Sequence, residues 1–513
     1  VADEFEASAG KWKAGDAARA LRFYQRAIST YNDGLAKYPK SFDLAYNKAL
    51  LLYNITQDKR LVTQSGNLLE ILKEALDAHR RALAIDQENA DVLFNTAQVL
   101  TSFAEELHDE ADDDDEVKGQ AVSLLQEAVE LFNACLTRQE MEYSEMQELL
   151  DEAESHEGGV PLSSAAGAEQ ANASTTAEDY PEEWATVKEP VTPDTLLETA
   201  LAQLGSLSSL ATIAAPTTSS LLANLSEIAS PIITQKLPSY IALLPTSVAT
   251  DPEEAKAAPF LSISASSSTF HATEATKTIN PQASAKAEAD LAIAVFTAAL
   301  ASAEYESRLL ETHQYSERIT QAFAPLSQNA AAGEYPDSSL VPILSAYADA
   351  LIEFAENVAD VDDSEQALTQ RWTALETAQA QLTQATNKLP SAATPSSSIA
   401  SPTKASLYLT RGNVELLRRR LTQHPSASKS LQNNASVLLK NAGVYYRGAV
   451  ALAKQGGDGE IEETATFRNL VVKAWEEGRV KEEAGAMRAA FDGEEIARLV
   501  EEMVDEGLLE DSG

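Results

Sequence analysis

"ARALRFYQRAI" (Ala18–Ile28), "LKEALDAHRRAL" (Leu72–Leu83) and "LLQEAVELFNACL" (Leu124–Leu136) decide the reading of this chain once they are laid over one another. Small residues coincide at Ala20, Ala75 and Ala128, and again at Ala27, Ala82 and Cys135; between them stand Tyr24, His79 and Phe132. A small residue, a ring four positions on and a small residue three further on lie on one helical face. Such a face lets a neighbouring helix come close at both ends while the ring fills the middle. The stretches preceding the second and third also match. "AYNKAL" (Ala45–Leu50) sets Asn47 over Asn95 and Ala49 over Ala97 of "LFNTAQ" (Leu93–Gln98).

Alternating helix pairs with this small–large–small surface resemble the tetratricopeptide repeat, whose nominal period is about 34 residues. Gly15 and Asp16 sit where that family turns between its two helices, and Pro39 where it closes a repeat; in the next repeat Gln87 takes the proline's place. The resemblance implies an all-α, right-handed α-solenoid. It places three repeats in residues 1–150, with the first second-helix running on through "YNDGLAKY" (Tyr31–Tyr38) and enlarged turns at Thr56–Asn67 and His108–Gly119.

Beyond residue 150 the composition shifts. Residues 151–192 are rich in Ser, Ala, Gly, Thr and acid and read as a flexible linker. Residues 193–210 read as a helix, a first helix whose partner is delayed until Ala283–Ser307. Residues 211–282 read as a Ser/Ala/Pro-rich insertion, because prolines at 216, 231, 238, 245, 252 and 259 argue against long helices. Further helix pairs are expected in 283–455, Ser339–Val358 with Glu365–Leu389 and Ala405–Leu421 with Leu431–Lys454, and Gly412 is expected to allow a close approach. Residues 456–513 read as acidic helices capping the solenoid.

Charge narrows function. Of 513 residues, 79 are Asp or Glu and 39 Lys or Arg, a formal net charge of −40. A polyanion repels phosphate backbones and anionic lipid heads, so nucleic acid and membrane are not expected partners. One cysteine, Cys135, forms no internal disulfide, and no spacing suits a zinc site. No apolar run approaches the roughly 20 residues of a membrane helix. The expected setting is soluble, in cytoplasm or nucleus.

Catalytic signatures are missing: no GxGxxG after a strand, no GxxxxGK[ST], no HExxH and no GxSxG. We expect no enzyme activity and no cofactor or metal. His79 and Cys135 fall in packing positions and are expected to be buried and inert. "DEADDDDE" (Asp109–Glu116) is the strongest local anomaly. It reads as a solvated, disordered loop held open by repulsion or as a tether for Lys/Arg-rich segments, since it lacks the alternating ligands and central glycine of a calcium loop. "RRR" (Arg418–Arg420) reads as cations facing a helix C-terminus rather than an import signal. Thr192-Pro193, Ser230-Pro231, Thr394-Pro395 and Ser401-Pro402 are expected in loops open to a kinase.

The family's best-known role, as the resemblance implies it, is gripping the C-terminal carboxylates of heat-shock chaperones with cations and asparagines on three successive first helices. Here those positions are Phe5, Ala9, Asn47, Asp91 and Asn95. One asparagine, Asn47, survives, and Asp91 stands where a cation is needed, so an anionic tail is disfavoured. The residues expected to meet a partner are therefore Asn47, Asp91, Asn95 and the acids Asp109, Glu110, Asp112, Asp113, Asp114, Asp115 and Glu116. The expected function is a non-enzymatic chaperone or adaptor for a basic client, with a ribosomal protein preferred to a histone. A neutral scaffold subunit and a heat-shock co-chaperone are the alternatives.

Overall fold

The computed structural model describes residues 1–110, 114–155, 190–214, 219–246, 280–389, 402–477 and 480–509. Every element among them is helical. The first pair is α1 (Ala2–Lys13) and α2 (Ala17–Lys37), and the second is α3 (Phe42–Thr56) and α5 (Leu68–Ile85), with the short α4 (Lys59–Ser65) in the turn between them. The third is α6 (Ala90–Asp109) and α7 (Asp115–Ser155).

Local chemistry sets these boundaries. Asp16, Asp58, Asn67 and Asn89 each accept the backbone N–H of the first turn that follows, supplying acceptors to donors that have no intrahelical partner. The aligned small residues then do what their spacing predicts: Ala20, Ala27, Ala75, Ala82, Ala128 and Cys135 are all fully buried. His79 is fully buried too, Nδ1 2.9 Å from the Ala75 carbonyl oxygen and its ring edge-on to Tyr53; burial pushes it down to about 4, so it stays neutral. The Cys135 thiol, 3.3 Å from the Ala90 oxygen, is pushed up by burial to about 12.

The middle of the chain corrects the sequence reading. The helix α8 (Pro193–Ile213) is followed by α9 (Ser219–Pro231), a π-turn (Ile232–Lys236) and α10 (Leu237–Leu243), inside the stretch read as an insertion without long helices. Pro231 and Pro238 stand seven apart on the exposed face, and the π-turn absorbs the backbone bonds that proline cannot make. Leu222, Leu225, Ala229, Ile232, Leu237 and Tyr240 face inward and are buried. This broken helix returns against α8 and is its partner. The helix α11 (Pro281–Glu306), packed beside α8 as well, therefore opens the next pair. Its own partner is α12 (Thr312–Ala332), which the sequence reading passed over. Pro325 interrupts α12 on its solvent side, while Tyr315, Ile319 and Phe323 hold the buried stripe.

Then come α13 (Asp337–Val361) with α14 (Glu365–Lys388), α15 (Lys404–Gln423) with α17 (Ala435–Gly456) after the single-turn α16 (Lys429–Gln432), and α18 (Gly459–Glu477) with α19 (Val480–Ala490); α20 (Gly493–Asp505) closes the array. The fold is an all-α solenoid of tetratricopeptide-like antiparallel pairs, each second helix packing on the first helix of the next pair. By length and composition α13 could cross a membrane, but Leu344, Ala348, Phe354, Ala355 and Val358 are buried against its neighbours. Lys59 in α4 reaches Glu460 in α18, 2.9 Å away, an exposed ion pair between helices far apart in sequence.

Between α15 and α17 the approach is closest. A Cβ on Gly412 would lie 2.4 to 2.8 Å from the Tyr446 ring, and one on Gly448 2.6 and 2.8 Å from Tyr408, so each helix offers a glycine to the other's tyrosine. Of the three arginines Arg418–Arg420, Arg420 is a cation of the last turn of α15 as expected and also donates to the Gly507 carbonyl, whereas Arg418 lies over Trp372 of α14 and Arg419 over Trp475 of α18. Flanking aromatic rings compete successfully for a guanidinium that can stack as well as donate.

Candidate functional site

First helices of consecutive pairs lie side by side, α6 next to α8, α8 next to α11 and α11 next to α13, and together they wall a groove. A cavity of ≈ 530 Å³ opens into it. Its floor is apolar: Ile213, Val295, Ala298, Phe323, Ala346 and Ala350 line it. The alanines of α11 allow this close packing of first helices, and Val295 is left 38% exposed on the floor.

The walls are anionic. Glu105 and Asp109 stand one turn apart on α6; Asp349 and Glu353 stand one turn apart on α13 across from them. Glu356 and Asp360 continue the α13 row at spacings of three and four, so four acids share one helical face. Like charges at these spacings destabilise a helix. Asp349 is pushed up to about 6, first by crowding in the groove and then by Glu353, and Glu353 is itself raised by burial. Glu356 is pushed up to about 8, by burial first and then by the charges of Glu506, Glu353 and Asp360, which outweigh Arg371. Glu105 is raised although the Ser209 hydroxyl donates to it at 2.6 Å. Among the described residues, no cation lies within ion-pair distance of Glu105, Asp109, Asp349, Glu353 or Glu356.

At the α11 end of the groove, Asn357 donates to the Ser302 hydroxyl at 2.7 Å and to Glu306 at 3.2 Å. Glu306, raised by burial and by Glu353, adds a further carboxylate to that wall. Carboxylates held above their ordinary range in a cleft, with hydroxyl and amide partners but no ion pair, make the groove the candidate site.

The residues singled out from sequence distribute unevenly. Asp109 alone lines the groove. Asn47 is exposed on α3. Asp91 is exposed at the start of α6. Asn95 is buried and its amide is taken, donating to the Tyr46 hydroxyl at 2.7 Å and the Asp91 carbonyl at 2.9 Å; it holds α3 to α6. Of the heat-shock clamp positions, Ala9 is fully buried.

The acidic run needs correction where it is described. Asp109 belongs to the last turn of α6, Asp115 and Glu116 to the first turn of α7, and the Asp114 carboxylate accepts the Glu116 N–H at 2.9 Å. Acids at a helix N-terminus meet its positive dipole end and are stabilised there. The run is thus largely helix termini, with Glu110 as the α6 cap; Asp112 and Asp113 lie outside the described residues. One of the proposed kinase sites is likewise not in a loop. Ser230-Pro231 is inside α9, whereas Thr192 is exposed just before α8, which it caps with its hydroxyl; Thr394 and Ser401 are outside the described residues. No group of three metal-ligating side chains occurs among the described residues.

Asp349, Glu353 and Glu356 were missed by the sequence reading, although a signal is present. Residues 319–370 contain no Lys, Arg or His, so the polar face of α13 is acidic without relief. Surface helices of ordinary proteins mix both signs.

No family model matches the chain. Over 105 residues, 20% of its length, it is 34% identical to a Schizosaccharomyces pombe protein described as UPF0656 protein C926.02, and the matched stretch is 23% of that protein, so the chain spans under a quarter of the curated relative it matches. Among solved structures it is similar to a circular tandem repeat protein (14% identity, TM-score 0.31, covering 98% of this chain and 94% of that one). It is also similar to the S. pombe nuclear import adaptor Nro1 (12%, TM-score 0.29, 84% and 99%) and to yeast Tom70 (9%, TM-score 0.22, 99% and 96%). TM-scores this low carry no function from those proteins to this one.

Proposed function

We propose that the chain is a non-enzymatic adaptor or chaperone that holds a basic protein client in the groove between α6 and α13, in the cytoplasm or nucleus. One observation supports it most: Asp349 and Glu353 line the cavity together with Glu105 and Asp109 over an apolar floor, and Lys and Arg are missing from that lining. A solenoid presents a concave surface to extended partners. Anionic walls raise the encounter rate with a Lys/Arg-rich partner and disfavour acidic ones. Client cations would lower the energy of carboxylates that the fold leaves facing one another. A ribosomal protein fits this chemistry as a basic, chaperone-dependent client.

Affinity purification of the whole chain at low and raised salt tests the reading, alongside the variant Asp349→Asn/Glu353→Gln/Glu356→Gln, which preserves shape. The expected result is a set enriched in basic proteins at low salt, depleted at raised salt and depleted in the variant. A set without that enrichment, or one indifferent to both changes, overturns it.

A further inference from the structure

The groove does more than offer charge. Its floor includes Val295, an aliphatic side chain more than a third exposed while its apolar neighbours Ile213 and Phe323 are buried, and the cavity above it has the volume of a small-ligand or short-peptide site. An apolar floor between carboxylate walls matches one kind of occupant. We propose that the cavity over Val295 receives one large apolar side chain of a client segment whose neighbouring residues are Lys or Arg, the cations settling on Glu105 and Asp109 along one wall and on Asp349 and Glu353 along the other. The proposal rests on the basic-client reading above and specifies what the client must present.

Charge complementarity selects this occupant. A second copy of the chain brings its own net charge of −40 and is repelled. A lipid tail comes with a head group that is anionic or zwitterionic, and an apolar peptide without cations leaves the walls unanswered. Division of labour follows from general principles: the cations govern encounter and rejection of wrong partners, while the buried apolar anchor governs residence.

The test uses the full chain and three labelled peptides in fluorescence anisotropy: Gly-Arg-Lys-Phe-Lys-Arg-Gly, the same peptide with serine for phenylalanine, and Gly-Glu-Asp-Phe-Asp-Glu-Gly. The phenylalanine peptide is expected to bind roughly tenfold to a hundredfold more tightly than the serine peptide, the scale of burying one aromatic side chain. The acidic peptide is expected not to bind. Val295→Lys should weaken the phenylalanine peptide by at least the same factor. Val295→Asp should instead abolish the preference for phenylalanine while keeping the serine peptide bound.

Because the decisive comparison changes the peptide and not the protein, it stands whether or not either variant folds. Equal binding of both basic peptides overturns the anchor pocket and leaves the basic-client reading intact. Failure of both basic peptides overturns the two together. Binding that appears only after deletion of residues 247–279 assigns the pocket to the chain's own segment and overturns the proposal, as does a dimer dispersed by Val295→Lys with no peptide bound.

Discussion

Carboxylates occupy two opposite settings in this molecule, the C-terminal cap and the groove. In the cap, Glu506 receives Arg468 through two bonds of 2.6 and 2.7 Å, and Asn413 donates to the same carboxylate at 3.0 Å while accepting from Arg468 at 2.8 Å and from the Tyr446 hydroxyl at 3.0 Å. Four elements, α15, α17, α18 and the end of α20, are joined through that one network. On α13, Asp349 and Glu353 are met by the hydroxyls of Ser345 and Ser302 rather than by a cation, and Glu356 is crowded by Glu506, Glu353 and Asp360, which outweigh Arg371. The chain thus ion-pairs an acid where pairing closes the fold and gives acids only hydroxyl partners where first helices face open space. Scarcity of cations alone does not explain this, because Arg418, Arg419, Arg420 and Arg468 all serve the C-terminal packing.

Arg468→Met should have the largest effect. Arg468 is 2% exposed, and its removal leaves Glu506 without its cation and with the Asn413 amide alone, while Asn413 keeps only the Tyr446 hydroxyl. Breaking a fully buried ion pair costs about 3–5 kcal/mol; Glu506 is 42% exposed, which lowers the expectation to about 2–3 kcal/mol. Urea unfolding checks it, and the double variant with Glu506→Gln should recover part of the loss. No change would mean that the cap is not held by this network.

Gly412→Ala ranks next, at about 1–3 kcal/mol, because the new methyl overlaps the buried Tyr446 ring and one of two packed helices must move. The sharpening control is Gly205→Ala in α8, where nothing lies within 4 Å and helix propensity favours alanine by roughly 1 kcal/mol. The pair should shift in opposite directions on thermal melting.

How much of this was legible in sequence follows from what each feature depends on. The N-terminal pairs were readable because Ala20, Ala75 and Ala128 carry the contact in the residues themselves, and Gly412 was readable for the same reason. The partner of α8 was not. Pro231 and Pro238 look like helix breakers until the π-turn and their shared exposed face are known, and Pro325 conceals α12 in the same way. The groove was half legible. Net charge foretold an acidic groove, but "DEADDDDE" drew attention to the densest run, whereas the acids without an ion pair are spaced along α13. Asp115 and Glu116 of the dense run meet a helix N-terminus and water; the sparse row on α13 meets like charges one turn away.

The smallest expected effect separates the two settings most cleanly, because it appears as a slope with pH. Asp349 and Glu356 ionise at ordinary values of 3.8 and 4.5 when unfolded, and at about 6 and about 8 in the groove. Between those limits the folded chain binds more protons than the unfolded one. Their contribution to stability is therefore fully present below about pH 4 and is lost as pH rises through 6 and 8. Asp349 faces Glu353; Glu356 faces Glu353, Asp360, Glu506 and, on the opposing side, Arg371; His108 lines the same cavity from α6. These side chains touch water, so we expect about 1 kcal/mol across pH 5 to 8 rather than the full value of the shifts. His79 produces the opposite limb: held down to about 4 against 6.5, it removes stability as pH falls between those values. The Asp349→Asn/Glu353→Gln/Glu356→Gln variant should flatten the alkaline limb and leave the acid limb alone. Binding of a basic peptide should release protons and tighten from pH 6 to 8 in the parent chain, and do neither in the variant. An alkaline limb that survives neutralisation of α13 would show that the groove carboxylates are already satisfied, and the contrast with the Arg468 network would dissolve.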